Sequence, residues 1–495
     1  MSLSRRAFLK TAGVGAALLT VLVACDQAAA PTAAPAKPTD APKPAAAPTT
    51  APASSGAAPA AAATTAPASS GAAPAATSAP AAAKPAASSG AKTTITFTHY
   101  LDPAAAKVYE SILQTDFAQK FPNTDVKIDI SPEADYIGKM LTQIGGGNYP
   151  DVMMVTDRYM PDFAARDVLL DMNPNIKRDD AQFDVKDLND DLVAAGDWSG
   201  KQVAIYDYTG PWVLYYNKRL FQAANVEVPK DSGLNQTYDD FTAMLKKLTS
   251  GDGEKKVFGA EALAAQFHWQ MCLLESYGGK LLDYRGPGTA DKANFHFTAP
   301  EVKKAMQIQT DWVVKDKSVP APGQVQGDAF VAQRAAIKMS GGRYLIPQYS
   351  QLPWAEDIGM MHVPLGTAKR GSRNGPRGLM IPKGSKNQDQ AWDFVKFITS
   401  KDGMQLLFKL NYSTPARKSL WDAFAKTLPK WEDVEIYRTS QKAMSELGPG
   451  PTYPKWAAAN KTIGDNFSAM WLGQASVDDG MKKIETDLNA LMKAP

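Results

Sequence analysis

The chain has 495 residues, with 54 Lys and Arg against 51 Asp and Glu and 44% hydrophobic residues, enough for two or more domains and a large core. The formal net charge is +3, but residues 1–92 carry Arg5, Arg6, Lys10, Lys37, Lys43, Lys84 and Lys92 against Asp26 and Asp40. That surplus of five leaves the rest near −2, so charge gives no argument for a nucleic-acid partner. Cys25 and Cys272 are the only cysteines, which excludes a disulfide scaffold.

Ser4 to Lys10 read as a twin-arginine export signal, and Thr11 to Ala24 supply an apolar stretch too short for a membrane span. Leu22, Val23, Ala24 and Cys25 form a lipobox-like run. Residues 1–24 are therefore expected to be a signal peptide, with Cys25 lipidated and the protein anchored to the membrane outside the cell. Residues 25–92 form an Ala/Pro/Ser/Thr-rich stretch in which TTAPASSGAAP occurs at Thr49 to Pro59 and again at Thr64 to Pro74. It lacks the apolar side chains that offset ordering entropy, so it reads as a tether. Extended at about 3 Å per residue, it reaches on the order of 200 Å.

Thr94 to Tyr100 alternates as a strand does, Pro103 to Phe121 is helical, and Asp125 to Ile130 alternates again. Ile137 to Ile144 is helical and ends at Gly145 to Gly147, before the apolar run Asp151 to Val155. That run suits a strand covered on both faces, and the order β, α, β, α, β points to an open α/β sheet. Val203 to Tyr206 and Val213 to Tyr216 read as strands separated by Asp207 to Trp212, where Gly210 and Pro211 break the ladder. Further on, Thr237 caps a helix with Phe241, Met244, Leu245 and Leu248 on one face, and Ala335 to Met339 is a short strand.

LYYNKRLFQAANVEVP (Leu214 to Pro229) resembles the YNKxLFxxAGxxxP signature of the extracellular solute-binding proteins of ABC importers, the family that includes maltose-binding protein. GGGNYPDVMMV (Gly145 to Val155), AFVAQRAAIKMSGG (Ala329 to Gly342) and LMIPKGSKNQDQAWDFVKFITS (Leu379 to Ser400) match in the same order, so the resemblance runs from about residue 93 to the C-terminus. It implies an α/β, two-lobed periplasmic-binding-protein-like fold with a ligand cleft at a multi-segment hinge. The expected lobes are 93–207 with 365–398, and 208–364 with 399–495. Crossings are expected near Tyr206 to Thr209, His362 to Leu365 and Ile398 to Lys401.

Ligands of open α/β sheets sit beyond the carboxyl ends of strands, which selects His99, Tyr100, Asp157, Arg158, Tyr159, Asp207, Tyr208, Trp212, Gly342, Arg343 and Tyr344. Aromatic faces and charged hydrogen-bonding groups are what sugar recognition needs. By resemblance, Asp157 and Arg158 match sugar-contacting positions of the maltose branch, Trp269 lies where members often place an aromatic, and His268 beside it could bond a hydroxyl. Gly210 stands where that branch has an acidic residue, and Arg343 replaces an aromatic. Arg377, Tyr453 and Trp456 are further cleft candidates.

The resemblance implies a monomeric, lipid-anchored receptor without cofactor or metal that captures a carbohydrate or related polyol and presents it to ABC permease subunits. An anionic ligand, such as a uronate or sugar phosphate, is the alternative raised by Arg343 and Arg377; a ligand-sensing lipoprotein is another. A surface glycosidase is disfavoured, because Asp190 with Asp191 and Asp239 with Asp240 are adjacent pairs that do not face each other across a bond.

Overall fold

The computed structural model describes residues 92–494 apart from 102, 266, 284–293, 373–374 and 448–454. Its first strands are β1 (Thr93–His99), β2 (Thr124–Ile130) and β3 (Val152–Thr156). β1 pairs in parallel with both, Thr93 opposite Thr124 and Phe97 opposite Val152. Each parallel return needs a crossover, supplied by α1 (Pro103–Ile112) and α2 (Glu133–Gly145). Where the sequence predicts one helix to Phe121, Leu113–Phe117 winds as a π turn. That wider turn keeps Leu113 and Phe117 both buried against the sheet. α2 stops at the glycine run, with Gly147 at φ +79° in the left-handed region that glycine adopts without penalty. All five residues of β3 are buried, as its unbroken apolar run requires. β4 is shorter than predicted, only Ile205–Tyr206.

The chain then enters a second sheet of β5 (Val213–Asn217), β6 (Phe258–Ala260), β7 (Ala335–Gly341) and β8 (Ile358–Met361), in the order β8-β5-β7-β6. Between these strands lie α3 (Tyr238–Leu248), α4 (Phe267–Ser276) and α5 (Pro300–Val314). The Thr237 cap of α3 is a full capping box: Thr237 Oγ1 accepts from the Asp240 amide at 3.2 Å, and the Thr237 amide donates to Asp240 Oδ2 at 3.1 Å. β9 (Arg377–Met380) returns to the first sheet and inserts antiparallel between β3 and β4, giving the order β2-β1-β3-β9-β4. The sequence-predicted α/β architecture with two sheets is therefore present.

α6 (Gln388–Ile398) packs on the first sheet, its Phe394 ring 4.9 Å from Phe97. After α7 (Lys401–Lys409), the buried side chains from Met404 to Tyr437, on the first turn of α8 (Val434–Leu447), lie in the same core cluster. Those of α9 (Trp456–Trp471) and α10 (Val477–Lys493) lie in the second. That first cluster also takes in Val213, Tyr215, Ile358 and Met360 of the second sheet, so the stretch from Met404 to Tyr437 packs against elements of both sheets. The α7 stripe, Met404, Leu407 and Phe408, fits either lobe by pattern alone.

Three segments are stitched together where the sheets exchange. Tyr208 bridges Pro415, and Thr209 Oγ1 lies 3.0 Å from Thr414 Oγ1. The Trp212 amide donates to Ser372 Oγ at 2.9 Å, and that hydroxyl donates back to the Trp212 carbonyl at 3.1 Å. Gly210 turns the first segment at φ +67°. Links this short let a few dihedrals change while both sheets stay rigid.

Candidate functional site

Parallel β1 and β3, with β4, present their carboxyl ends at one edge of the first sheet, and antiparallel β9 presents its amino end there. Consequently His99 closes β1, Asp157 follows β3, Asp207 follows β4 and Arg377 opens β9. Tyr109 reaches in from α1 and Tyr412 from the loop after α7. The Arg377 guanidinium lies over the rings of Tyr208, Tyr412 and Tyr344 at 4.9, 5.2 and 5.8 Å, a cation on three quadrupolar faces. Tyr109 Oη donates to Asp207 Oδ2, and its ring lies 5.5 Å from Tyr412 and 6.4 Å from His99.

This cluster is buried but incompletely bonded. Asp207 is 1% exposed and Arg377 8%. Among the described residues, Asp207 Oδ1, Arg377 Nε and Nη2, His99 Nε2 and Tyr412 Oη are shielded from solvent without a hydrogen-bond partner. Buried polar atoms are nearly always paired, so several orphans converging on one place mark where something else bonds. Asp207 Oδ1 accepts and Arg377 donates, the combination that holds hydroxyl groups, which do both.

Burial pushes the Asp207 carboxyl upward, against the Tyr109 hydrogen bond and the nearby Arg377. Burial, with Arg377, pulls His99 down to about 4, and burial with Arg370 does the same to His362. Both histidines fold neutral and take up a proton on unfolding. The stability they confer is complete above their ordinary value of about 6.5 and is lost as pH falls toward 4. His99 alone accounts for a loss on the order of 3 kcal/mol across that window. Urea titrations at pH 7 and pH 4 should show a smaller acid loss in His99→Gln than in wild type; equal losses would refute this assignment.

On the second sheet's side, Tyr344 Oη donates to the Ser340 carbonyl at 3.2 Å, while the Ser340 amide and hydroxyl donate to Glu261 Oε1 at 2.9 and 2.6 Å. Lys338 lies 2.6 Å from Glu261 and 2.9 Å from Asp328. Burial works against its charge, and the two carboxylates more than offset that. Asp157 Oδ1 accepts from the Arg158 amide at 2.9 Å, and the Arg158 guanidinium lies 5.0 Å from the Tyr159 ring.

The family model described as bacterial extracellular solute-binding protein matches residues 101–405. The chain belongs to this family. Like this solute-binding protein, the diacetylchitobiose binding protein DasA of Streptomyces coelicolor has a chain of related sequence, 25% identical over 79% of this chain and 88% of DasA. The erythritol/L-threitol-binding protein of Mycolicibacterium smegmatis is 24% identical over 61% of this chain and 67% of its own. An ABC substrate-binding protein from Listeria monocytogenes, solved with cycloalternan, superimposes with a TM-score of 0.72 at 23% identity over 82% of this chain and all of its own.

Of the residues selected from sequence in this solute-binding protein, Asp207, Tyr208, Arg377 and Tyr344 meet at the cluster. Tyr100, Asp157 and Arg158 sit on the same sheet edge, Tyr100 with its ring 5.1 Å from Tyr136. Gly342 is buried and extended, its carbonyl accepting from the Leu345 amide at 3.0 Å. Trp212 is 6% exposed and donates its Nε1–H to the Met339 carbonyl.

One expectation is corrected. Arg343 is not a cleft cation: its Nε lies 3.0 Å from Glu432, Nη1 donates to the Phe408 and Ser413 carbonyls, Nη2 donates to Asn411, and Phe424 lies under the guanidinium. A buried guanidinium needs all those partners, and residues 408–432 supply them. Trp456 is fully buried at the start of α9, within the second core. The side chains of His268 and Trp269, and all of Cys25 and Tyr453, lie outside the described residues.

Sequence reasoning did not select Tyr109 or Tyr412. Tyr109 belongs to the buried stripe of α1, with Ala105 and Ile112, and by pattern is a core residue. Tyr412 sits in NYSTP, whose turn-forming composition was the only available signal.

Proposed function

We propose that this protein captures a neutral, hydroxyl-rich carbohydrate or polyol between its two lobes and presents the closed form to an ABC import permease. The observation that carries this reading is the buried set of unpaired donors and acceptors at Arg377, Asp207, His99 and Tyr412, ringed by tyrosine faces. Such atoms are unfavourable to bury alone, and a ligand that satisfies them favours the closed arrangement over the open one. The names of DasA and of the erythritol/L-threitol-binding protein, and the cycloalternan held by the Listeria protein, point to the same ligand class.

A neutral ligand is favoured over a uronate or sugar phosphate by the charges: Glu432 neutralises Arg343, and Arg377 has Asp207 beside it. Within this reading, residues 93–207 with 365–398 make the first lobe, residues 208–364 with 399–495 make the second, and the receptor acts as a monomer. Cys25 carries the lipid after twin-arginine export, and residues 25–92 are the tether. None of the described helices is long and apolar enough to cross a membrane.

The test is a thermal-shift screen of the purified protein against neutral oligosaccharides, polyols, uronates and sugar phosphates. A ligand bound only by the folded state raises the melting temperature with its excess over Kd, about 2.7 kcal/mol at a hundredfold excess. Saturable shifts from one or more neutral compounds are expected. Shifts from acidic compounds alone would overturn the neutral-sugar reading.

A further inference from the structure

β6 and β7 run parallel, with Phe258 opposite Ala335 and Ala260 opposite Ile337, so their carboxyl ends open on one edge of the second sheet. Glu261 follows β6 directly, and Ser340 lies near the end of β7. One position of β7 is out of pattern. The strand reads AAIKMSG, and Lys338, its only charged residue, is 9% exposed between buried Ile337 and Met339. Its ammonium lies 2.6 Å from Glu261, which is 6% exposed, and 2.9 Å from Asp328. Stability alone does not account for such a set, because apolar replacements of similar volume are often neutral or stabilising.

What these charges hold in place is Ser340. Glu261 Oε1 accepts from both the Ser340 amide and its hydroxyl, at 2.9 and 2.6 Å, while Oε2 meets Lys338. The carbonyl of the same serine accepts from Tyr344 Oη at 3.2 Å. Tyr344 follows the anchored Arg343 and is only partly buried, and its ring lies 5.8 Å from the Arg377 guanidinium. A continuous series of bonds therefore runs from Lys338 through Glu261 and Ser340 to a ring that faces the Arg377 cluster.

We propose that Glu261 is a positioning residue of the ligand site: by clamping Ser340 it fixes the Tyr344 ring against Arg377, and so sets the direction in which Arg377 presents its unpartnered N–H groups. This rests on the reading of the Arg377 cluster as the ligand site. Glu261 acts through Ser340 and Tyr344, since both of its carboxylate oxygens are engaged. A guanidinium held by an aromatic face before the ligand arrives loses less freedom on binding. Lys338 supplies the counter-charge without which a carboxylate buried at this place would be costly. Asp328, its other partner, also accepts from the Phe330 and Val331 amides at 2.9 and 3.1 Å, and its side chain is 23% exposed, so it keeps its own bonds when Lys338 is replaced.

Two double variants separate the clamp from the charges. Glu261→Leu with Lys338→Met removes both, whereas Glu261→Gln with Lys338→Met removes the charges and leaves an amide oxygen to accept from Ser340. In ligand-free crystal structures the Tyr344 ring should leave Arg377 in the leucine variant and stay in the glutamine variant; a ring unmoved in the leucine variant overturns the proposal. Calorimetric titration with the best neutral compound of the thermal screen should show about tenfold weaker binding in the leucine variant and affinity restored in the glutamine variant. Equal affinities in the two overturn it as well. In an Arg377→Met background the two should bind alike, a non-additivity that a general loosening of the fold would not produce. Should the leucine variant fail to fold, Tyr344→Phe breaks the last link with Glu261 and Lys338 untouched, and should give the same displaced ring and weaker binding. A screen in which no neutral compound binds refutes the sugar reading alone, because the position of the ring is read without ligand.

Discussion

Arg377→Met is expected to weaken binding of the best neutral ligand from the thermal screen by about a hundredfold while raising the melting temperature of the ligand-free protein. The two signs follow from one arrangement. Arg377 is nearly fully buried, and two of its nitrogens have no partner among the described residues. A hydrogen bond from a charged donor contributes about 1.5–3 kcal/mol, so losing one or two costs about one to four orders of magnitude in affinity. Without ligand the same cation is desolvated among tyrosine faces with Asp207, whose carboxyl burial pushes upward, as its nearby partner, and an apolar side chain of similar length removes that desolvation penalty. Calorimetric titration and a melting curve on one preparation check both. A variant that loses stability and keeps its affinity would make Arg377 a structural residue.

Glu432→Ala should be strongly destabilising, by about 3–5 kcal/mol. Its carboxylate lies 3.0 Å from Arg343, with both side chains at most 1% exposed, and it accepts from Tyr437 Oη at 2.7 Å. Truncation leaves a guanidinium in the core with carbonyls and Asn411 for company and no counter-charge. The double variant Arg343→Met, Glu432→Leu should recover most of the loss, because removing both charges removes the desolvation cost with them. Denaturant midpoints of the single and double variants give the comparison. A Glu432→Ala midpoint within 1 kcal/mol of wild type would show that the pair is not the structural anchor described here.

The contrast between these arginines shows what the sequence could and could not convey. Both follow glycine-containing turns near strand ends, Arg343 after Ser340 to Gly342 and Arg377 after Gly375 and Pro376, so both read as cleft cations. The deciding partner of Arg343 is Glu432, far along the chain, and no local pattern predicts such a pairing. Strands and helices were legible because their signals are local: the apolar run of β3, the Thr237 cap of α3, and the glycine stop of α2. Gly210 and Pro211 likewise marked the first crossing. The assignment of α7 to the first core was not legible, since an amphipathic stripe names a buried face without naming what buries it. Tyr109 was hidden for the same reason, because its hydroxyl, and not its ring, distinguishes it from a core residue.

The place of β9 has a consequence for how the polypeptide is made. It is a central strand of the first sheet, paired with β3 on one side and β4 on the other, yet it leaves the ribosome only after every strand of the second sheet. Until residues 377–380 emerge, the nascent first lobe holds two unpaired edges and an unfilled gap, the kind of surface that recruits other chains. The lobe that begins synthesis first is thus completed late, and the second sheet can assemble while the first waits. A fragment cut before Arg377 would carry that open gap permanently, whereas the intact chain closes it in one late, long-range step.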